Sequence, residues 1–306
     1  MEDSKNVLKK IKNEYAGRSY AYFCGVMIII ITLTIMIFIA SKGVQTFIKD
    51  GESLSGFLFG TRWNPSGDIP QYGALVFILG STFISVGAVI ISAPIAIALA
   101  IFMNLISSKI GKTVLQPVLE LFVGIPSVVY GWMGITVLIP LIKNSFGGLG
   151  FSLLAGILVL SVMILPTIAS LSSDAIKTVP REYLEASYGL GATRWQTIIK
   201  VILPAGKNGI LTGVVLGIAR AFGEALAVQM VIGNTARLPF KLTESMATLT
   251  SIITMDMANT AGGSTWNNAL WTLALILLII SFVFILIIRK IGSRGEERWV
   301  QKRKTK

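Results

Sequence analysis

Two adjoining stretches decide the fold of this chain: PREYLEASYGLGATRW at Pro180–Trp195 and RAFGEALAV at Arg220–Val228. The first is polar and charged, as expected of a loop that meets water. The second places Arg220 and Glu224 inside an apolar segment, residues 208–236, that contains no other Asp, Glu, Lys or Arg. An ionisable residue inside a membrane span is rare and by default marks a functional site. The two stretches together predict a unit that couples an event on one side of a bilayer to a path through it.

The rest of the chain has the composition of a membrane protein. Only 14% of its 306 residues are charged, whereas soluble domains carry about 25%. Because about 20 apolar residues cross a bilayer, six segments with few or no charges predict an all-α integral membrane protein with six transmembrane helices. These segments are 20–41, 69–108, 113–142, 144–173, 208–236 and 257–288. Several prolines and glycines in the third segment predict irregular backbone, which is tolerated at membrane depth only where protein or a water-filled cavity satisfies it.

The distribution of basic residues predicts the orientation. Twenty of the 27 Lys and Arg residues fall in the two tails, the loop near 109–112 and the loop 174–207, against six in the alternate segments. Under the positive-inside rule both termini are cytoplasmic. The predicted organisation is a basic tail at 1–20, a six-helix domain at 21–290 containing the cytoplasmic loop 174–207, and a basic tail at 291–306. The tails are expected to contact anionic lipid rather than nucleic acid.

The loop at 180–204 is predicted to form two short helices. Pro180 suits the start of a helix over Arg181–Leu190, and Gly189 and Gly191 would break it. Thr193 can cap a second helix that ends before Pro204. From these features alone, a loop lying on the membrane surface is an equally good interpretation.

The two charges of the fifth segment are one helical turn apart, so a continuous helix would place them on one face. A stripe of small residues shares that face and favours close approach of another helix: Gly209, Gly213, Gly217 and Ala221. Two readings stay open. Arg220 and Glu224 form an ion pair that only holds helices together, or Arg220 binds an anion crossing the membrane and Glu224 neutralises it when the site is empty. Glu120, in the third segment, is either a further partner in the path or a side chain that reaches the cytoplasmic surface.

The loop resembles a known motif. Glu185-Ala186-Ser187, followed by Gly191, Val201 and Leu203-Pro204, is similar to the "EAA" loop of ABC-importer permeases, with Ser187 and Val201 as mild departures. That resemblance implies that the loop docks into a groove of an ATPase subunit. The residues it assigns to this contact are Arg181, Glu182, Tyr183, Glu185, Ala186, Ser187 and Gly191.

A wider resemblance covers most of the chain. GIPSVVYG at 124–131, RAFGEALAV at 220–228 with IGN at 232–234, and WNP at 63–65 followed by YGAL at 72–75 are similar to phosphate-importer permeases of the PstC type. The resemblance implies a subunit in the cell membrane of a bacterium that forms a path for inorganic phosphate, with Arg220 and Glu224 in that path. It implies as partners a sister permease PstA, two copies of the ATPase PstB, which would hold ATP and Mg, and an external phosphate-binding protein PstS.

Other classes are disfavoured. GKT at 111–113 lacks the first glycine of a phosphate-binding loop and follows no strand, so the chain is not expected to hydrolyse ATP or to bind a cofactor. It contains no histidine and a single cysteine, which argues against a catalytic or metal site. The remaining alternatives are a permease for sulfate or molybdate, a proton-coupled secondary transporter using Glu224, and a purely structural membrane anchor.

Overall fold

A computed structural model describes the backbone of residues 2–304 and the side chains of residues 17–287 and 290. Within this described range, six helical segments are long and apolar enough to cross a membrane, which confirms the predicted all-α architecture. They are Gly17–Ile48, Leu75–Ile106, Ser127–Phe146, Leu153–Lys177, Arg194–Gly223 and Thr265–Ile287. Most side chains of the two basic tails lie outside the described residues, so their predicted lipid contacts stay predictions.

The N-terminal part contains the first two spans and a small hairpin between them. Its elements are α1 (Glu2–Gly43), α2 (Gln45–Ile48), α3 (Leu54–Phe59), β1 (Trp63–Asn64), β2 (Gln71–Tyr72) and α4 (Leu75–Ile101), the last continued by a π-helical turn at Phe102–Ile106. β1 and β2 pair antiparallel, with Trp63 opposite Tyr72. The Trp63 ring packs edge-on against the rings of Tyr72 and Phe77, which anchors the hairpin to the start of α4.

The region from Ser108 to Phe146, which ends in the third span, is broken into pieces, as its prolines and glycines predict. They are α5 (Ser108–Ile110), a π turn at Gly111–Leu115, α6 (Gln116–Gly124), α7 (Ser127–Met133), a π turn at Gly134–Leu138 and α8 (Ile139–Phe146). The interruption between α6 and α7 falls at Ile125 and Pro126, both in extended conformation. The Tyr130 hydroxyl donates to the carbonyl of Phe122 at 2.8 Å. That bond satisfies a backbone carbonyl near the interruption, where unpaired backbone groups at membrane depth need a hydrogen-bond partner.

The C-terminal half contains α9 (Leu153–Lys177), α10 (Arg181–Gly189), α11 (Arg194–Thr197), a π turn at Ile198–Ile202, α12 (Leu203–Gly223), α13 (Leu226–Ile232), α14 (Leu249–Asp256), a 3-10 turn at Met257–Asn259 and α15 (Thr265–Lys304). α9 is the central helix of the bundle, because it packs against both α4 and α12. α15 packs on the other side of α12, and α1 lies outermost against α15.

At Pro204 the prediction is wrong. The second loop helix does not end there, since helical structure runs from Arg194 to Gly223. Pro204 stands at the start of α12, directly after the π turn. The first turn of an α-helical segment does not require a proline nitrogen to donate, so the chain continues without a break.

The partly buried Asp256 ends α14 on the side of the bundle that carries the hairpin. Burial raises the pKa of its carboxyl group, whereas the nearby indoles of Trp63 and Trp266 lower it. The hairpin, α14 and the start of α15 therefore meet around one acidic side chain.

The glycine stripe of α12 packs directly on α9. A Cβ atom added to Gly209, Gly213 or Gly217 would meet Ala175, Leu171 or Ile168 respectively, at 2.5–3.0 Å. Because residue numbers rise along α12 as they fall along α9, the two helices are antiparallel here. Their close approach is the one that the small-residue stripe predicts, and it fixes the register between the two helices.

Replacing Gly217 by Leu is expected to destabilise the bundle. A Cβ atom alone would lie 2.7 Å from Ile168 Cδ1, and overpacking of this kind typically costs about 1–3 kcal/mol. Thermal unfolding of the purified protein, followed by tryptophan fluorescence, measures the effect. Gly25→Leu is the matched control, because no atom lies within 4 Å of a Cβ at Gly25. Equal melting temperatures for the two variants would contradict the tight contact between α9 and α12.

Candidate functional site

Arg220 lies in the last turn of α12 and is half-buried. Its Nη1 donates a hydrogen bond to Thr167 Oγ1 of α9 at 2.7 Å. The guanidinium therefore points towards a neighbouring helix rather than away from the bundle. Residues from the fourth and fifth spans therefore meet here. A guanidinium has five N–H donors in a planar fork, and among the residues whose side chains are described no carboxylate pairs with this one.

Glu224 lies at the end of α12 rather than inside a continuous helix. α12 ends at Gly223, and Glu224 has extended backbone with ψ of 125°. Its side-chain Oε1 accepts from the backbone N–H of Ala227 at 3.3 Å, at the start of α13. Its carbonyl oxygen accepts from Thr250 Oγ1 at 2.8 Å. The prediction of one continuous helix through both residues is wrong, because α12 ends at Gly223 and the chain turns away after Glu224.

No ion pair joins Arg220 and Glu224, both of which belong to the described part of the chain. The hypothesis that Arg220 and Glu224 form a purely structural ion pair is therefore not supported by the contacts in this conformation. Glu224 instead uses its carboxylate to cap the following helix.

Glu120 lies away from this pair. It is exposed on α6 and accepts from Gln116 Nε2 at 3.2 Å. It lines a cavity of about 330 Å³ between α6 and α9, which also contains Asp174 and Lys177. Asp174 and Lys177 form an exposed ion pair at 3.2 Å. The cavity extends along α9 to Pro166, the residue that precedes Thr167.

The loop between α9 and α12 contains the two short helices that the sequence predicts. α10 covers Arg181–Gly189, and Thr193 forms a capping box with Gln196 at the start of α11. Gly191 has φ of +78°, a conformation that side chains with a Cβ atom rarely adopt. The glycine is therefore required by the turn between the helices.

The predicted docking residues of this loop divide into an outer and an inner set. Outward-facing, exposed residues are Arg181, Glu182, Tyr183, Glu185, Ala186 and Gly191. Ser187 is buried and shares a hydrogen bond of 2.9 Å with Thr197 in α11. Large apolar side chains are also exposed, with Leu190 at 89% and Trp195 at 60% of their surface. Charged and large apolar side chains are therefore exposed together on this loop.

Thr167 was not predicted from the sequence. It lies within an uncharged apolar segment, and nothing in its immediate sequence separates it from other threonines in the spans. The one available signal is helical spacing, since Ser170 and Asp174 follow at the third and seventh positions on the same side of α9. Its partner Arg220 is distant in sequence, so only the packing of α9 on α12 identifies it.

Residues 92–295 match the family described as "Binding-protein-dependent transport system inner membrane component". The probable ABC transporter permease protein YqgH of Bacillus subtilis (strain 168) is 53% identical over 283 residues, which cover 92% of each chain. The phosphate transport system permease protein PstC of Mesorhizobium japonicum is 31% identical and covers 87% of this chain and 88% of its own. PstC of Haemophilus influenzae is 32% identical, with 87% and 90% covered.

Solved structures share the fold at lower identity. A chain of an ABC transporter for import of the acidic polysaccharide alginate has a TM-score of 0.61 at 16% identity, covering 90% of this chain and 96% of its own. A chain of the inward-facing MetNI methionine transporter has a TM-score of 0.54 at 21% identity, with 73% and 94% covered. The sequence matches cover most of this chain and most of each relative. The solved structures share the fold of this chain. The chain therefore belongs to the family of binding-protein-dependent transport system inner membrane components, the permeases of ABC importers.

Proposed function

We propose that this permease forms the membrane path for inorganic phosphate in an ATP-driven importer. The observation that supports it most directly is Arg220, a guanidinium half-buried among the spans and bonded to a hydroxyl instead of a carboxylate. A tetrahedral oxyanion matches the planar fork of N–H donors that a guanidinium offers. Relatives named as phosphate permeases, at 31–32% identity, point to the same substrate.

In this proposal Arg220 is a transient ligand and Glu224 limits how tightly the anion is held. Charge-assisted bonds to a buried guanidinium are strong, and an anion bound too tightly would not leave. The carboxylate of Glu224, which directly follows the end of α12, could move towards Arg220 after the anion leaves and compete with the next anion for the guanidinium. Glu120 would line the exit through the cavity between α6 and α9.

The loop 174–207 would connect this site to the energy source. We place both termini and this loop on the cytoplasmic side of a bacterial cell membrane, following the distribution of basic residues. Two ATPase subunits of the PstB type, holding ATP and Mg, would dock on this loop and on its equivalent in a sister permease of the PstA type. An external binding protein of the PstS type would deliver phosphate.

The structure offers a direct route for motion from the loop to the site. The Ser187–Thr197 hydrogen bond ties α10 to α11, and helical structure continues from Arg194 to Gly223. A displacement of α10 would therefore act on this continuous helix at Thr197. Arg220 lies further along the same helix, about 35 Å from Thr197 at 1.5 Å per residue. Movement of a rigid element around a bound substrate is the usual basis of alternating access.

Uptake by the reconstituted complex tests the substrate. The chain would be purified with its sister permease and ATPase, placed in vesicles with the binding protein outside and ATP inside, and supplied with radiolabelled phosphate. ATP-dependent accumulation of phosphate, unaffected by excess sulfate or molybdate and by a proton ionophore, is the expected result.

Each alternative predicts a different outcome of that assay. Accumulation of sulfate or molybdate in place of phosphate would reject phosphate as the substrate. Uptake that the ionophore abolishes while ATP is present would indicate proton coupling through Glu224. Uptake that does not depend on this chain would leave it as a structural anchor.

A further inference from the structure

We propose that Thr167 is the positioning residue of the anion path: it holds the Arg220 guanidinium towards the path without neutralising its charge. The inference rests on the proposed role of Arg220 in phosphate passage. It is carried by a single well-formed contact, the 2.7 Å hydrogen bond from Arg220 Nη1 to Thr167 Oγ1. Both side chains are half-buried, so the bond is shielded in part from competition by water.

The register between α9 and α12 places the two residues opposite each other. The glycine contacts proceed in order along the interface, with Gly213 against Leu171 and Gly217 against Ile168. Arg220 follows Gly217 by less than one turn, and Thr167 adjoins Ile168. The pair thus lies directly beyond the glycine contacts between the two helices. The backbones of α9 and α12 are held close at this point, so the short side chain of Thr167 can reach the long side chain of Arg220.

The hydroxyl of Thr167 differs in its bonding from that of several other threonines in the described helices. Inside a helix, a threonine hydroxyl commonly bonds to the carbonyl of the residue four positions earlier. This is observed at Thr82, Thr136, Thr212 and Thr254. Thr167 instead turns its oxygen towards Arg220 and accepts a hydrogen bond. Its own hydroxyl hydrogen remains to be shared with another acceptor, and an anion oxygen at the guanidinium would be one.

The chemical type of the partner matters as much as its position. A long arginine side chain has many rotamers, so a fixed acceptor increases the fraction of time in which the guanidinium faces the path. A carboxylate would fix it equally well but would cancel its charge, and the anion would then have to displace the carboxylate. A hydroxyl orients the guanidinium and leaves its charge available to an oxyanion.

Three substitutions at one position separate these effects. Thr167→Ser keeps the hydroxyl and should retain uptake within about twofold. Thr167→Val removes the acceptor at nearly constant volume and should lower the phosphate uptake rate per assembled complex by about tenfold. Thr167→Asp keeps an acceptor but neutralises Arg220, and should reduce uptake to the level of Arg220→Gln. Thr212→Val is the matched control, because its hydroxyl bonds only within α12; it should leave uptake within about twofold.

A double mutant distinguishes positioning from general support of the fold. If Thr167 acts through Arg220, adding Thr167→Val to Arg220→Gln should lower uptake no further, whereas independent effects would multiply. Because the binding protein captures phosphate, the half-saturating concentration should stay constant while the maximal rate falls. If Thr167→Val prevents assembly, the difference in phosphate uptake between Thr167→Ser and Thr167→Asp still tests the positioning role of Thr167.

The two proposals can fail separately. Unchanged uptake in both Thr167→Val and Thr167→Asp, with Arg220→Gln inactive, would overturn the positioning role alone. Multiplying effects in the double mutant would do the same. Full uptake in Arg220→Gln would instead remove the proposed role of Arg220, and the role of Thr167 with it.

Discussion

Arg220→Gln is expected to reduce ATP-dependent phosphate uptake by about 100-fold, equivalent to about 2.7 kcal/mol. Glutamine can still bond to Thr167, but it has no charge to offer a partly desolvated oxyanion, and bonds to charged groups are among the strongest available. Radiolabelled phosphate uptake per mole of assembled complex is the measurement. Assembly should be normal, because Arg220 forms no ion pair with Glu224 that would hold helices together.

Arg220→Lys refines this expectation. Lysine keeps the positive charge but loses the planar fork, so uptake should fall by an intermediate amount, about tenfold. Arg62→Gln makes the same change of side chain at an exposed position in the hairpin region, and should have no effect. If Arg220→Gln transported phosphate like the unaltered protein, Arg220 would not be a ligand for the anion.

Glu185→Lys is expected to remove the ATPase subunit from the purified complex, with at least a tenfold loss in the amount recovered. Glu185 lies on the exposed face of α10, where the resemblance to the coupling loop places the contact. A reversed charge at a docking surface introduces repulsion where the partner presents a complementary group, and 1.4 kcal/mol suffices for a tenfold change. Co-purification with a tagged permease, followed by quantitative protein staining, gives the result.

Asp68→Lys is the matched control for this experiment. It makes an acid-to-lysine reversal at an exposed position, and it lies in the hairpin loop, which the charge distribution predicts to be on the opposite side of the membrane. It should leave ATPase recovery unchanged. Loss of the ATPase in Asp68→Lys but not in Glu185→Lys would mean that the assigned orientation is inverted.

The membrane class and most elements could be predicted from local features of the sequence. Hydrophobic length is a property of a segment alone, so the six spans were found without knowledge of their neighbours. The broken third span, the helix Arg181–Gly189 and the cap at Thr193 likewise follow from proline, glycine and threonine chemistry within a few residues.

Two local predictions were wrong, and both concern how a helix continues. Pro204 was expected to end a helix, but the preceding π turn changes the hydrogen-bond pattern and the helix continues. Residues 220–224 were expected to form one helix, but it ends at Gly223, and Glu224 caps α13 instead. Thr250, from a distant part of the chain, binds the carbonyl of Glu224 and helps to stabilise the break.

The partner of Arg220 was decided by tertiary structure alone. The sequence determined that a positive charge lies inside a span and that a glycine stripe shares its face, because both depend on helical periodicity. It could not determine which hydroxyl Arg220 meets, since Thr167 is 53 residues away and its bond depends on the register of α9 against α12. That register depends on the glycine contacts along the whole interface between α9 and α12. It is the register that brings Thr167 within hydrogen-bond distance of Arg220.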